Sequence, residues 1–251
     1  MDNSKRYFMN KNEILENTEQ AFEEEQFLVY FQPQYNYTSK KIIGAEALVR
    51  WFHPLYGMQS PGDFIPVYES SGYITRLDLY VFEKICAFLR KSIDKNVRIV
   101  PISFNVSRYD VYGGNFIEDM EAIRKRYDIP VTYFRIEITE SSLVGGNEYM
   151  IRIVESLHSL GYVVEMDDFG SGYSSLNVLK DVEVDIIKLD MIFMRGKIGG
   201  RGGIIINSII KMANWLGTPV IAEGVETIDQ AEYLQSIGCN YIQGYLFSKP
   251  V

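Results

Sequence analysis

Polar residues able to bind metals or carry protons interrupt the aliphatic and aromatic runs of this chain at regular intervals. Glu46 lies inside IIGAEALVRW, Asn105 near the end of ISFNVS, Glu137 inside FRIEIT, and Asp167 with Asp168 at the end of VVEMDD. Lys188 closes DIIK, Glu223 closes PVIAE, and Gln243 follows NYI. An ionised carboxylate among Ile and Phe costs several kcal/mol unless it is paired or bound to a cation. Five such acids brought to one place repel each other, and Lys188 is the one cation among them, so the arrangement calls for metal ions. The donors are carboxylate and amide oxygens, and neither His53 nor His158 stands at a strand end. That set favours Mg²⁺ or Mn²⁺ over zinc or copper. Asp167 and Asp168 are neighbours whose side chains diverge in an extended chain, so the pair can serve two ions. Two ions can activate a water and stabilise both oxygens of an in-line displacement at phosphorus.

Each position has a plainer reading when taken alone. Glu46 could be an interior acid paired with Lys188, Asn105 and Gln243 could cap turns, and Asp168 could cap the helix that follows. Glu223 and Glu226 in AEGVET could be a first-turn pair favoured by a helix dipole. Their coincidence at the ends of successive strands is what points to a shared site.

The elements that must position these residues follow from hydrophobic periodicity. Residues 11–25 form a surface helix at the end of a linker-like segment, 1–21, and the main domain spans 22–251. Strands at 27–31 and 41–51 are joined by nine residues, QPQYNYTSK, too few for a parallel crossover, so this pair is antiparallel. Helices near 61–72 and 75–94 lead into an alternation: strand 99–105, helix 113–127, strand 133–138, helix 147–160, strand 163–167 and a short helix 174–180. Strand 184–188, helix 203–216, strand 219–223, helix 228–236 and strand 240–243 complete it. Eight strands alternating with helices predict an α/β fold, a TIM-like (β/α)8 barrel with the first strand antiparallel, whose carboxyl-terminal face carries the site. No GxGxxG follows the first strand to favour an open doubly wound sheet.

Composition bounds the partners. At 251 residues, 47% apolar, the chain can bury one barrel-sized core. A formal charge of −8 argues against a groove for a nucleic-acid polymer, and the Arg124-Lys125-Arg126 run reads as a solvated helix face. No apolar run approaches the roughly 18 residues needed to span a bilayer and no secretory signal is visible. The expected location is cytoplasmic, with membrane attachment only through regions outside this chain. Cys86 and Cys239 stand alone and read as reduced, packed thiols. The segment 199–203, GGRGG, reads as a flexible loop, and the helix after it is apolar on nearly every side, which predicts burial on more than one face or a subunit interface.

The blocks EALVRW (46–51), FNVS (104–107), EITES (137–141), DDFGSGYSSL (167–176), IIKLD (186–190), AEGVET (222–227) and QGYLFSKP (243–250) resemble, in order, the motifs of the EAL-domain family. It is a family of bacterial phosphodiesterases that open cyclic di-GMP to linear pGpG. The resemblance implies that Glu46, Asn105, Glu137 and Asp167 hold a first metal, with Asp167 bridging and Asp168 on a second. It implies that Lys188 positions the hydrolytic water and helps it lose a proton, and that Glu223 and Gln243 complete the metal and water shell. Arg50 contacts a phosphate, for which its guanidinium is suited, and Gln32 touches substrate. Glu140, Glu226 and the loop with Gly170 and Gly172 couple dimerisation to metal binding. Mg²⁺ or Mn²⁺ is the expected cofactor, as two ions, and Ca²⁺ is expected to inhibit because its bonds are longer and its coordination looser. A homodimer and a fused sensor or GGDEF-like domain in a longer protein are further expectations. The departures are Gly-Ser-Gly for the more frequent Gly-Thr-Gly and Met166 for a smaller residue or Ile; neither removes a ligand. A non-hydrolytic cyclic di-GMP receptor is the alternative of a different class.

Overall fold

The computed structural model describes residues 8–112, 114–143, 148–170, 175–190 and 200–251. Nine strands form one sheet: β1 (Phe27–Asn36), β2 (Lys41–His53), β3 (Gly57–Gln59), β4 (Ile102–Asn105), β5 (Phe134–Thr139), β6 (Val163–Phe169), β7 (Ile186–Asp190), β8 (Val220–Glu223) and β9 (Tyr241–Gln243). Their order is β1-β9-β8-β7-β6-β5-β4-β2-β3, and β1 also pairs with β2, so eight strands close into a barrel with β3 appended. From β2 through β4 to β9 the barrel pairings are parallel, while β1 is antiparallel to both β2 and β9. The expected barrel with its antiparallel first strand is therefore what forms.

Three local expectations are corrected. The nine-residue link is mostly strand, because β1 runs to Asn36 and only residues 37–40 turn. Pro33 sits within β1, opposite Ala45. Its nitrogen lies on the edge where Phe31 bonds Val251 rather than β2, so its missing donor costs the β1–β2 ladder nothing. The 11–25 helix, α1 (Lys11–Glu23), is amphipathic rather than merely superficial: Ile14, Thr18, Ala21 and Phe22 are buried, and Thr18 Oγ1 bonds the Tyr68 hydroxyl at 3.0 Å. The capping box of Asn10 and Glu13 starts it. The glycine-rich loop at 199–203 is shorter than expected, because the last long crossover helix begins at Arg201 and takes in Gly202 and Gly203. A Cβ on Gly203 would lie 2.8 Å from the Tyr233 hydroxyl, which donates to the Gly203 carbonyl. Glycine is there for a close approach.

That helix, Arg201–Leu216, buries Ile206, Ile210 and Ala213, while Ile204, Ile205, Trp215 and Leu216 are exposed, Trp215 to 86%. No helix among the described residues is long and apolar enough to cross a membrane.

Beneath α1 an aromatic cluster of Phe27, Trp51, Phe64 and Tyr68 ties the β1–β2 pair to the helix Pro61–Ser71, with centroids 5.2 Å apart for Phe27–Trp51 and 5.6 Å for Trp51–Phe64. Trp51 and Phe64 are fully buried, and the Trp51 indole N–H donates to Gln26 at 2.9 Å. Truncating a ring in such a cluster leaves a cavity that neighbours cannot fill. Phe64→Ala is expected to cost about 3–5 kcal/mol, checked by urea unfolding; a loss below about 1 kcal/mol would mean the cluster does not anchor the β1–β2 pair.

Candidate active site

Ladder register decides which side chains meet. Gln32 pairs with Glu46, Glu46 with Ser103, Asn105 with Glu137, Thr139 with Asp167, and Asp190 with Glu223. Because side chains alternate across a strand, these pairings raise Glu46, Asn105, Glu137, Asp167, Lys188, Glu223 and Gln243 together on the inner face of the barrel mouth. Glu46 is mid-strand, not terminal, because β2 runs on past its three-residue pairing with β4 to meet β3.

Lys188 is the hub. Its Nζ, 1% exposed, lies 2.8 Å from Glu137, 2.9 Å from Glu223, 3.3 Å from Asp167 and 3.4 Å from Glu46. The Gln243 amide donates to Glu46 Oε2 and, at 3.3 Å, to Gln32 Oε1, while Asn105 Nδ2 donates to Glu46 Oε1 at 3.3 Å. Gln32 in turn donates to the Ser248 carbonyl at 3.2 Å. Four carboxylates against one ammonium leave a large negative excess in a buried place. Burial drives the Glu137 and Glu223 carboxyls well above the usual range, and the neighbouring acids push further. Burial alone would lower the Lys188 ammonium, but Glu137, Glu223, Glu46 and Asp167 together outweigh it and hold Lys188 charged.

Asp167 and Asp168 do not sit in an extended chain. They form a bulge: Met166 faces Ile187 and Phe169 faces Leu189, so two residues oppose Lys188 alone. Asp168 has φ 56, in the left-handed region. The bulge keeps Asp167 on Lys188 and turns Asp168 outward, where it is exposed. Desolvation first, then Asp167 and Asp190, raise its pKa. Glu140, fully buried, accepts from the Gly170 backbone N–H at 2.9 Å and so grips the start of the loop after β6. Gly170 has φ 94, a conformation glycine adopts freely. Gly172 lies outside the described residues. Glu226 is exposed beyond β8, its own N–H bonded to Gln230, and is not brought into the cluster.

Arg50 lies beside the cluster on a cavity of 270 Å³ that Glu69, Asp78, Asn105, Ser107 and Thr139 also line. Its Nη1 donates to the Val49 carbonyl at 2.8 Å. A depression of 490 Å³ at the opposite, amino-terminal end of the barrel is lined by Asn36, Thr38, Asn214 and Asn240 among others, with no acid or basic side chain. Sequence reasoning missed two groups. Glu69, Asp78 and Asp110 arrive from helices, where no strand alternation marks them. Arg135, Glu165 and Gln34 form a second inward layer, and they could have been found: each stands two residues from a residue of the first layer or from its cross-strand neighbour.

A divalent cation suits these residues. Glu137 Oε2 and Gln243 Oε1 are buried and accept no hydrogen bond, while Glu137 Oε1 and Asp167 Oδ1 face the Lys188 ammonium, and every one is a hard oxygen donor. The acids as they stand are gathered on Lys188; among the described residues no three acids, histidines or cysteines already close on one cation-sized point.

A closed (β/α) barrel with an acid-lined, lysine-centred mouth is the class that fold and site define. The EAL domain family model matches residues 15–250, and the chain belongs to that family. It is similar to MucR of Pseudomonas aeruginosa, named a bifunctional diguanylate cyclase/cyclic di-GMP phosphodiesterase: 30% identity over 240 residues, 95% of this chain and 35% of that protein. It is similar also to PdeR of Escherichia coli, named a cyclic di-GMP phosphodiesterase: 31% over 236 residues, 94% of this chain and 35% of that one. The chain thus spans about a third of the length of these relatives. Among solved structures, the MucR phosphodiesterase in complex with cyclic di-GMP matches at a TM-score of 0.89 and 30% identity, covering 95% of this chain and 97% of that one.

The buried acids generate a pH expectation for protein stripped of divalent cations. A carboxyl whose folded pKa is raised stabilises the fold fully below its unfolded value, here 4.5 for Glu137 and Glu223, and that contribution is lost as pH rises through the folded value. The melting temperature in chelator should therefore fall from mildly acid pH towards pH 9, and Mn²⁺ should flatten the slope. A melting temperature in chelator that rises over this interval would contradict the buried excess of negative charge.

Proposed function

We propose that this chain is a metal-dependent phosphodiesterase that opens cyclic di-GMP to linear pGpG. The observation that carries the reading is the lysine-centred group of four acids at the barrel mouth beside Arg50 and its cavity. The names of the relatives and family membership support the same substrate and reaction class.

In this reading Glu46, Asn105, Glu137, Asp167 and Glu223 would hold a first Mg²⁺ or Mn²⁺, and Asp168 together with Asp167 would hold a second. Bound divalent ions supply Lewis-acid polarisation of the phosphate and make water easier to deprotonate. Lys188, held among four carboxylates, donates a hydrogen bond that orients the attacking water and helps it lose its proton. The water's proton passes to a nearby carboxylate, Glu223 or Asp168. The water oxygen bonds to phosphorus as the bond to the ribose 3′ oxygen breaks. That oxygen takes up a proton, leaving a 5′-phosphate and a 3′-hydroxyl. Arg50 holds a phosphate from its cavity, while Gln32 and Gln243 keep Glu46 in place and border the substrate.

Purified protein should convert cyclic di-GMP to pGpG with Mg²⁺ or Mn²⁺, stop in chelator, and be inhibited by Ca²⁺, read by chromatography of the products. Glu46→Ala should lose Mn²⁺ binding and turnover together. Arg50→Ala should chiefly raise KM, by the equivalent of about 1.5–3 kcal/mol. Near-normal turnover by Glu46→Ala would overturn the assignment. The reading of a different class, a receptor that holds cyclic di-GMP uncut, draws on the acids being engaged by Lys188. Tight binding with no product in either metal would select it.

The reading extends to a homodimer whose interface includes the exposed Ile204, Ile205, Trp215 and Leu216, with the loop held by Glu140 carrying the effect to Asp168. It also includes a fused sensor or cyclase-like domain in a longer protein and a cytoplasmic setting. Specific activity should fall on dilution as the dimer dissociates by light scattering, and Ile205→Glu should favour the monomer. Constant specific activity in a strictly monomeric sample would rule out the coupling.

A further inference from the structure

Directly beneath the Lys188 layer the barrel holds a second charged layer that the mechanism does not use. Glu165, fully buried, stands two residues before Asp167 and in register with Glu137 on the neighbouring strand. Arg135, two residues before Glu137, reaches across with Nη1 to Glu165 Oε1 at 3.2 Å and to Gln34 Oε1 at 3.1 Å, and with Nη2 to the Ile43 carbonyl at 3.3 Å. Room for this crossing comes from Gly44, where a Cβ would lie 2.5 Å from Gln34 Oε1 and 3.0 Å from Arg135 Nη1. Four strands, β1, β2, β5 and β6, are thus committed to placing one guanidinium and one carboxylate in the barrel floor.

Such a pair is a poor way to gain stability. Desolvating two charges costs as much as their attraction returns, and apolar residues of similar volume usually do as well or better. The pair also leaves polar atoms unsatisfied, since Glu165 Oε2 and Gln34 Nε2 are buried without hydrogen bonds. What it does supply is a field. Glu165 stands in register with Glu137 and two residues before Asp167, so its charge lies next to both acids of the layer above.

Resting on the metal-dependent reading above, we propose that Arg135 and Glu165 are positioning residues that set the divalent-cation affinity of the layer above them. Glu165 draws cations toward Glu137 and Asp167, and Arg135 opposes it, keeping binding reversible while holding the Glu165 side chain upright. The signature is a pair of opposite signs. A role in packing alone would weaken the site whichever partner is lost.

The test is calorimetric titration of Mn²⁺ into chelator-stripped protein without substrate, with melting curves to establish folding. Glu165→Gln should weaken Mn²⁺ binding roughly tenfold and Arg135→Gln should strengthen it by a similar factor, as one unit charge acting across several ångströms of protein allows. The double variant should return to near the wild-type affinity. Shifts of the same sign, or none beyond twofold, would overturn the proposal. If the single variants do not fold, Arg135→Lys decides: charge kept and fork lost, it should lower the melting temperature yet leave Mn²⁺ affinity within twofold, and a tenfold change would overturn the proposal. Wild-type protein that binds no Mn²⁺ would instead sink the metal reading itself and this inference with it.

Discussion

A single ammonium within 3.4 Å of four carboxylates constrains much of the barrel around it. Like charges gathered in a low-dielectric interior push apart strongly, so the strands carrying them have to be held together by other means. The fully apolar outer faces of β5, β6 and β7 supply that restraint, with Phe134, Ile136, Ile138, Val164, Met166, Ile187 and Leu189 at or near zero exposure. Dense packing behind the strands fixes the inward groups at distances they would not choose for themselves. The strain is electrostatic, and it is concentrated where cations can relieve it.

The neutral groups around the cluster divide the work. Gln243, Gln32 and Asn105 donate to Glu46 or to one another, tying β9, β1, β2 and β4 with hydrogen bonds that add no charge. The bulge at Asp167-Asp168 solves a different problem, because two adjacent acids on one strand cannot both face Lys188. One extra residue against Lys188 sends Asp167 inward and Asp168 outward, and Glu140 pins Gly170 immediately afterwards. The segment after Asp167 and Asp168 therefore starts from a fixed point at Gly170.

The Arg135–Glu165 floor extends this logic downward. The layer at the mouth carries excess negative charge and the layer beneath it is a matched pair, so the barrel axis passes from a compensated interior to an uncompensated surface. Arg50 stands at the edge of this cluster, lining the neighbouring cavity.

Much of this was legible in the sequence because strand periodicity is short and strict. Polar residues breaking into apolar runs marked Glu46, Asn105, Glu137, Asp167, Lys188, Glu223 and Gln243, and the alternation of strands with helices marked the barrel and its antiparallel opening pair. The ordered blocks resembling a known family added Gln32, Arg50 and Glu140 beside them, while Glu226 stays outside the cluster. What the sequence could not show was set by pairings between distant segments. Register placed Glu165 beside Glu137 and sent Arg135 across to Gln34. A left-handed Asp168 put a bulge where the sequence implies an extended chain, and α1 found its buried face only against Tyr68, 50 residues from Thr18. Local propensity states which residues form a strand and which face each occupies. Which charge then stands next to which depends on strand register and closure, and these are properties of the assembled barrel alone.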